Sequence, residues 1–73
     1  QQGGAMQTQI YESDPFTPKK GRLLVTVDSD YRFQKNDELV LEKDGERISL
    51  RVMDVRIRIK DTTLSREILA LRI

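Results

Sequence analysis

The chain has no cysteine, no histidine and no tryptophan among its 73 residues. Without cysteine there is no disulfide and no thiolate nucleophile, and without histidine there is no imidazole base. Because these two residue types also supply most zinc ligands, a zinc site of the usual kind is excluded. The sequence therefore predicts a non-enzymatic protein with no cofactor and no metal.

Long apolar runs are absent as well. No stretch approaches the roughly 20 apolar residues of a membrane-spanning helix. No signal segment, in which a charged stretch precedes an apolar one, opens the chain. We therefore expect no membrane association and a cytoplasmic location.

Carboxylates are the only common acid and base groups that remain. Asp28 with Asp30, and Asp37 with Glu38, lie in turn-rich stretches, where Asp is ordinary turn chemistry. The sequence has no glycine-rich phosphate loop, dinucleotide-binding fingerprint or calcium-loop spacing. It thus predicts no catalytic, cofactor-binding or metal-binding residue.

The length allows one domain with a modest core, because a chain of about 60 residues buries only about 60% of its unfolded surface. Residues 1–5 are expected to be a vector-derived tail. Residues 6–20 contain two prolines and predict an extended N-terminal arm. In this arm Tyr11 and Phe16 either cover an open end of the fold or remain available for binding. Residues 21–73 are predicted to form a single β-barrel domain.

The longest segment with strand character covers residues 46–60. In its first half the apolar residues alternate with polar ones, which is the period of a strand with one buried face. In its second half the phase slips by one residue, and the apolar positions are Met53, Val55, Ile57 and Ile59. A β-bulge near Val52 and Met53 would let both halves face one core. The alternative is a straight strand that passes from the core to a second apolar contact, such as a partner chain.

Three further strands are predicted at residues 22–28, 38–43 and 66–73 from their β-branched and aliphatic content. Asp44-Gly45 predicts a two-residue hairpin turn, because Gly accepts positive φ without cost. Residues 61–65 predict a loop or a single helical turn. With residues 31–33 as a fifth segment, the fold is predicted to be all-β, a small antiparallel five-stranded bent barrel or sandwich. The predicted core consists of Leu23, Val25, Val27, Phe33, Leu39, Leu41, Ile48, Leu50, Val55, Ile57, Leu69 and Leu71.

Charge is divided between two parts of the domain. Residues 28–46 hold seven acidic and three basic residues, whereas residues 47–73 hold seven basic and three acidic residues. Bases that alternate along the long strand would form a stripe able to neutralise phosphates. The alternative is that these bases pair with the acidic strand of the hairpin. The candidate nucleic-acid-binding residues are Arg51, Arg56, Arg58, Lys60 and, for base stacking, Tyr31.

The closing strand carries apolar residues on both of its faces, so one face would lack a cover in a small barrel. An uncovered strand of this kind favours strand addition or dimerisation. The candidate protein-interaction residues are Ile68, Ala70 and Arg72. We therefore expect a small protein-interaction or assembly module that binds a protein partner or another copy of itself, with nucleic-acid binding as the alternative function.

Residues 31–57, YRFQKNDELVLEKDGERISLRVMDVRI, resemble the central part of the PUA and ASCH β-barrel domains. In that pattern a hydrophobic residue and then Gly-Asp lead into a strand, a short hairpin and a second strand. Phe33 and the pair Asn36-Asp37 stand at the first positions, with Asn36 in place of Gly. The basic and acidic motif of ASCH domains is represented only by Lys20-Gly21-Arg22, and the helices between strands are missing. The resemblance implies a small barrel of SH3-like or PUA-like type and RNA binding, and it supports the barrel more than the RNA binding.

Overall fold

A computed structural model describes residues 6–16 and 19–73, and these residues form an all-β fold. The strands lie in one five-stranded sheet with the order β2-β1-β5-β4-β3, curled into a half barrel. The prediction of a small, bent five-stranded fold is therefore confirmed. The strands are β1 (Met6–Glu12), β2 (Leu23–Ser29), β3 (Glu38–Lys43), β4 (Glu46–Lys60) and β5 (Thr63–Arg72).

Two tight turns organise the second half of the chain. Asp44 and Gly45 both have positive φ, 54° and 81°, and join β3 to β4 in the predicted hairpin. Asp61, with φ of 57°, lies in the turn between β4 and β5, where Lys60 already pairs with Thr63. This connection is shorter than the predicted loop of residues 61–65, because Asp tolerates the left-handed conformation that a tight turn requires.

The predicted N-terminal arm is wrong for residues 6–12, which form β1 in the interior of the sheet. β1 pairs antiparallel with β2 and parallel with β5, so the sheet is antiparallel except for this pair. Thr8 and Ile10 are buried on one face of β1, while Gln7 and Gln9 occupy the other. The glutamines hide the strand period of β1 in the sequence.

Two other predicted segments differ from the structure or lie outside it. Residues 31–33, predicted as a strand segment, are a loop instead. Residues 1–5, predicted as a vector-derived tail, lie outside the described residues.

The predicted bulge in β4 is confirmed. Val52 pairs with Ala70, and Asp54 pairs with the preceding residue of β5, Leu69, so Met53 is the extra residue. Val52, which pairs with Ala70, and Val55, which pairs with Ile68, consequently lie on the same face of the sheet. The straight-strand alternative is therefore wrong, and the strand bends around one core.

The core lies on one face of the sheet, here called the concave face. Its buried members are Ile10, Leu24, Leu50, Val52, Ile68 and Ala70. Six residues of the predicted core are partly buried against this cluster: Val25, Phe33, Leu39, Leu41, Ile48 and Val55.

Three predicted core residues are wrong, because Leu23, Val27 and Ile57 are 46%, 37% and 54% exposed. In β2 the register against β1 shifts between Ile10 and Tyr11, and the shift buries Leu24 in place of Leu23. The remaining two, Leu69 and Leu71, lie on the other face, here called the convex face, where Leu69 is fully buried and Leu71 is half-buried.

Truncation of core and surface positions in β4 should separate these assignments. We expect Leu50→Ala to lower the free energy of unfolding by about 2 to 5 kcal/mol, because Leu50 is 1% exposed and its removal leaves a cavity. Ile57→Ala should cost no more than about 1 kcal/mol, since the side chain is already half in solvent. Urea unfolding of both variants measures the difference. Equal losses would contradict the placement of the core.

Candidate interaction site

The end of the β4–β5 hairpin has a free outer edge. β3 pairs with β4 only as far as Arg51, and the backbone of Asn36 and Asp37 then bonds Val52. From Asp54 to Lys60, β4 pairs with β5 on one side, and no backbone of the described residues pairs with its other side. We call residues 55–65 the hairpin arm. β4 is thus an interior strand in its first half and an edge strand in the arm.

The bulge decides which backbone groups lie on that edge. Ser49 accepts a hydrogen bond from the Ile73 N–H at 2.9 Å on the β5 side, whereas the Val52 N–H donates to the Asp37 carbonyl at 2.8 Å on the β3 side. In an antiparallel strand, the backbone N–H and C=O groups of successive residues point alternately to the strand on one side and to the strand on the other. The extra residue Met53 shifts this alternation by one, so after the bulge the odd-numbered residues no longer point to β5. Accordingly, the Val55 N–H donates to its neighbour Asp54 Oδ1 at 3.0 Å. The N–H and C=O groups of Ile57 and Ile59 therefore point outward.

The concave face of the arm is apolar and exposed. Ile57, Ile59 and Leu64 are 54%, 66% and 48% exposed, and they share this face through the pairs Ile57 with Arg66 and Ile59 with Leu64. Among the described residues, β3 does not extend past Arg51 on β4, and the pairs between β1 and β5 begin at Gln7 with Ser65. Three large apolar side chains thus lie in one patch beside an open strand edge.

The convex face of the arm is basic, and the predicted stripe Arg56, Arg58 and Lys60 lies along it. The Arg56 Nε is 3.1 Å from Asp54 Oδ2, and the Arg58 Nη1 is 3.4 Å from Glu67 Oε2. Glu67 is only 7% exposed, and its Oε2 also binds the Lys20 Nζ at 3.1 Å. Two cations therefore share one buried carboxylate, and part of the stripe is neutralised within the chain.

The other two bases of β4, Arg47 and Arg51, pair across to β3. The alternative interpretation of the charges is therefore correct for these two and wrong for the stripe, whose ion pairs are with Asp54 and Glu67. Arg51 Nη2 is 3.4 Å from Glu38 Oε2, and Arg47 Nη2 is 3.1 Å from Glu42 Oε2. Both pairs are exposed, so each contributes about 0.2 to 1 kcal/mol at most. Lys60 forms no ion pair with any residue in the described ranges 6–16 and 19–73. The arm therefore ends in an exposed positive charge.

Tyr31 lies away from the basic stripe, in the loop that crosses the concave side. Its hydroxyl donates to Asp37 Oδ2 at 2.8 Å, and its ring packs edge-on against Phe33 with centroids 4.8 Å apart. The hydrogen bond to Asp37 and the negative charge of that carboxylate raise the pKa of Tyr31 above its ordinary value of 10. The structure does not bring Tyr31 together with Arg56, Arg58 and Lys60.

Arg66 holds that loop in place, a role that could not be predicted from the sequence. Its buried guanidinium donates to the carbonyls of Tyr31 at 2.7 Å and Ser29 at 2.9 Å, and to Thr8 Oγ1 at 3.2 Å. It also lies 5.2 Å from the Phe33 ring centroid. In the sequence, Arg66 is only one of the seven basic residues of the range 47–73. No local pattern marks a buried arginine whose hydrogen-bond acceptors are distant in the chain.

The predicted protein-interaction residues lie elsewhere than expected. Ile68 and Ala70 have no exposed surface and belong to the core of the chain itself. The expectation that one face of the closing strand lacks a cover is therefore wrong, because Ile68 and Ala70 are buried in the core on one face and Leu69 is fully buried on the other. Arg72 is exposed, with its Nη2 3.5 Å from Glu12 Oε1.

No known protein-family model matches this chain, and comparisons with curated proteins and with solved structures also give no match. Residues 6–16 and 19–73 contain no group of three or more acidic residues placed to hold a metal ion. Across the same described ranges, no helix has the length and apolar character needed to cross a bilayer. The exposed hairpin arm, with its free edge and apolar patch, is the structural feature of the described residues that bears on function.

The contact between Tyr31 and Asp37 gives a prediction about titration. In Asp37→Asn the pKa of Tyr31 should fall toward its ordinary value, because the amide carries no charge to oppose the phenolate. A spectroscopic pH titration in a Tyr11→Phe background isolates this group. Asp30→Asn is the matched control, since it removes a neighbouring charge without touching the hydroxyl, and it should leave the midpoint nearly in place. Identical midpoints for Asp37→Asn and the parent would contradict the contact.

Proposed function

We propose that this chain is a small, non-enzymatic protein-interaction and assembly module that self-associates through the hairpin arm. The observation that carries the proposal is the free edge of β4, which combines outward N–H and C=O groups with three exposed apolar side chains. Exposed edges of this kind are templates for strand addition from another chain. The function is therefore contact with protein rather than chemistry.

The arm has few of the features by which proteins protect an edge strand. Short edge strands, proline, bulges and inward-pointing charges all discourage pairing between chains. In the arm the bulge lies at the start, before Val55, and the exposed lysine lies at the end, at Lys60. Between them, Ile57 and Ile59 offer β-branched side chains and no proline interrupts the strand. This composition favours pairing with a partner strand.

The free energies of side-chain burial and of association indicate which interactions the contact between two chains requires. Full burial of an aliphatic side chain stabilises by about 1.5 to 3 kcal/mol, and about half of this remains available at each arm residue, which gives roughly 2 to 4.5 kcal/mol for three of them. Association costs roughly 4 to 15 kcal/mol in lost translational and rotational freedom, so the patch offsets at most the lower end of this range. The apolar patch alone would therefore not hold two chains together. Backbone pairing at the edge and complementary charges must contribute.

Charge supports another copy of the chain as the partner. The arm presents bases on its convex face, and β3 presents Glu38 and Glu42 on the same face of the sheet. Part of this charge is already paired within the chain, but Lys60 has no ion pair among the described residues, so each copy still offers a basic and an acidic strand edge. Attraction between such surfaces steers association and is screened by salt.

Nucleic-acid binding is the alternative, and the stripe Arg56, Arg58 and Lys60 on one face of β4 is the observation in its favour. Acidic neighbours compete for the first two of these side chains, and each phosphate contact would have to displace one. Tyr31 lies on the other side of the sheet and cannot supply a stacking platform beside the stripe. These features weaken the alternative relative to self-association.

Substitution of the exposed isoleucine at the arm tests the proposal. We expect Ile59→Lys to abolish concentration-dependent association, because it places a charge in the contact, and to leave the fold intact because the side chain is 66% exposed. Light scattering over a concentration series measures the mass. The matched control is Phe16→Lys, which removes a still more exposed aromatic side chain, 90% exposed, far from the arm in sequence, and should associate like the parent.

Two results would contradict the proposal. One is a native protein that stays monomeric up to millimolar concentration at low salt. The other is equal association of the native protein and Ile59→Lys. Salt-dependent binding of RNA by that native monomer, with loss of affinity in Lys60→Ala, would favour the alternative instead.

A further inference from the structure

We infer that the hairpin arm of one copy adds to the free edge of β3 in a second copy, as a parallel strand with Ile57 beside Leu39 and Ile59 beside Leu41. This inference rests on the proposed function and specifies its partner surface. It makes the contact heterologous: two different edges meet, and each copy retains one free edge of each kind.

β3 has a free outer edge whose geometry follows from its pairing with β4. Leu39 pairs with Leu50, and Leu41 pairs with Ile48, on the concave face. The Val52 N–H donates a hydrogen bond to the Asp37 carbonyl, so the backbone N–H and C=O groups of the even-numbered residues 48–52 of β4 point toward β3. The N–H and C=O groups of residues 39 and 41 point toward β4 in return. The N–H and C=O groups of Glu38, Val40 and Glu42 therefore point outward, and no backbone of the described residues pairs with them.

The relation between strand direction and side-chain face excludes an antiparallel contact. In an antiparallel pair, residues whose backbone groups point at each other lie directly opposite and share a face. The outward residues of the arm are Ile57 and Ile59, and those of β3 include Glu38 and Glu42. Antiparallel pairing would thus place the glutamates of β3 beside the isoleucines of the arm, and the leucines of β3 beside the arginines of the arm. A parallel pair is offset by one residue, so an outward residue of one edge lies opposite an inward residue of the other.

The parallel register matches both faces at once. With Ile57 opposite Leu39 and Ile59 opposite Leu41, the concave faces of the two sheets join into one apolar surface. On the convex side, the same register sets three pairs opposite each other: Arg56 with Glu38, Arg58 with Val40, and Lys60 with Glu42. Among the described residues, Glu42 binds Arg47 through Oε2, and its Oε1 has no partner there, which leaves that oxygen for the incoming lysine.

Pairing of two arms with each other is disfavoured by the same reasoning. An antiparallel contact centred on Ile57 of both copies would place Arg56 opposite Arg58 of the other copy, and like charges directly opposite are destabilising. A contact between two different edges leaves a free arm at one end and a free β3 at the other. Such contacts continue into rings if the rotation closes and into open chains if it does not.

A charge swap at Lys60 and Glu42 tests the register. At low salt, Lys60→Glu and Glu42→Lys should each weaken association about three- to thirty-fold, because each places like charges opposite each other. An equimolar mixture of the two variants should associate like the native protein, and so should the double variant, because both restore opposite charges. The measurement is sedimentation velocity over a concentration series. The control is Glu46→Lys, which makes the same charge change on β4 next to the turn, outside the free edge of β3, and should not rescue Lys60→Glu.

The outcomes separate this inference from the proposed function. Association that is lost in Ile59→Lys but unchanged in Glu42→Lys would overturn the register and leave self-association through the arm standing. Rescue of Lys60→Glu by Glu46→Lys as efficiently as by Glu42→Lys would also overturn it, since only net charge would then be at work. A native protein that does not associate would overturn both.

Discussion

The extra residue Met53 is the constraint on which the rest of the structure depends. β4 carries two apolar sets of opposite phase, and in a regular strand they would face opposite sides of the sheet. The bulge places Val52 and Val55 on the same face of the sheet as their cross-strand partners Ala70 and Ile68 of β5. It therefore gives this small chain one core instead of two half-cores. It also bends β4, which lets five strands curl into a half barrel without a second sheet.

The same bulge couples the core to the surface. By inverting the alternation of backbone groups, it directs the N–H and C=O of Ile57 and Ile59 away from β5. At the same time Arg66, opposite Ile57, turns its guanidinium inward to the loop at Ser29 and Tyr31 instead of covering its neighbour. The arm is left with an apolar face and a free edge. The features that make the core compact thus also make the arm available.

Much of the fold could be predicted because its signals are local. The slip of phase at Met53 and the Asp44-Gly45 turn are both visible in a few residues, and both predictions are confirmed. β1 could not be predicted, because Gln7 and Gln9 dilute its period and its parallel neighbour β5 is more than fifty residues away in the chain. A parallel pairing of this kind leaves no turn signal between its strands.

The candidate site shows a similar division. The direction of Arg56, Arg58 and Lys60 followed from alternation alone, and the structure places them on one face. The exposure of Ile57 could not be predicted, since it depends on how far β3 extends along β4 rather than on β4 itself. Nor could the sharing of Glu67 between Lys20 and Arg58, which joins three distant parts of the chain.

Amide hydrogen exchange resolved by residue tests most directly the claim that the bulge creates a free edge that pairs on association. In dilute solution the amides of Arg56 and Arg58, which point to β5, should be protected, whereas those of Ile57 and Ile59 should exchange freely. At concentrations where the protein associates, the two isoleucine amides should become protected as well. Protection of Ile57 and Ile59 in the dilute monomer, or free exchange of both in the associated state, would contradict the account.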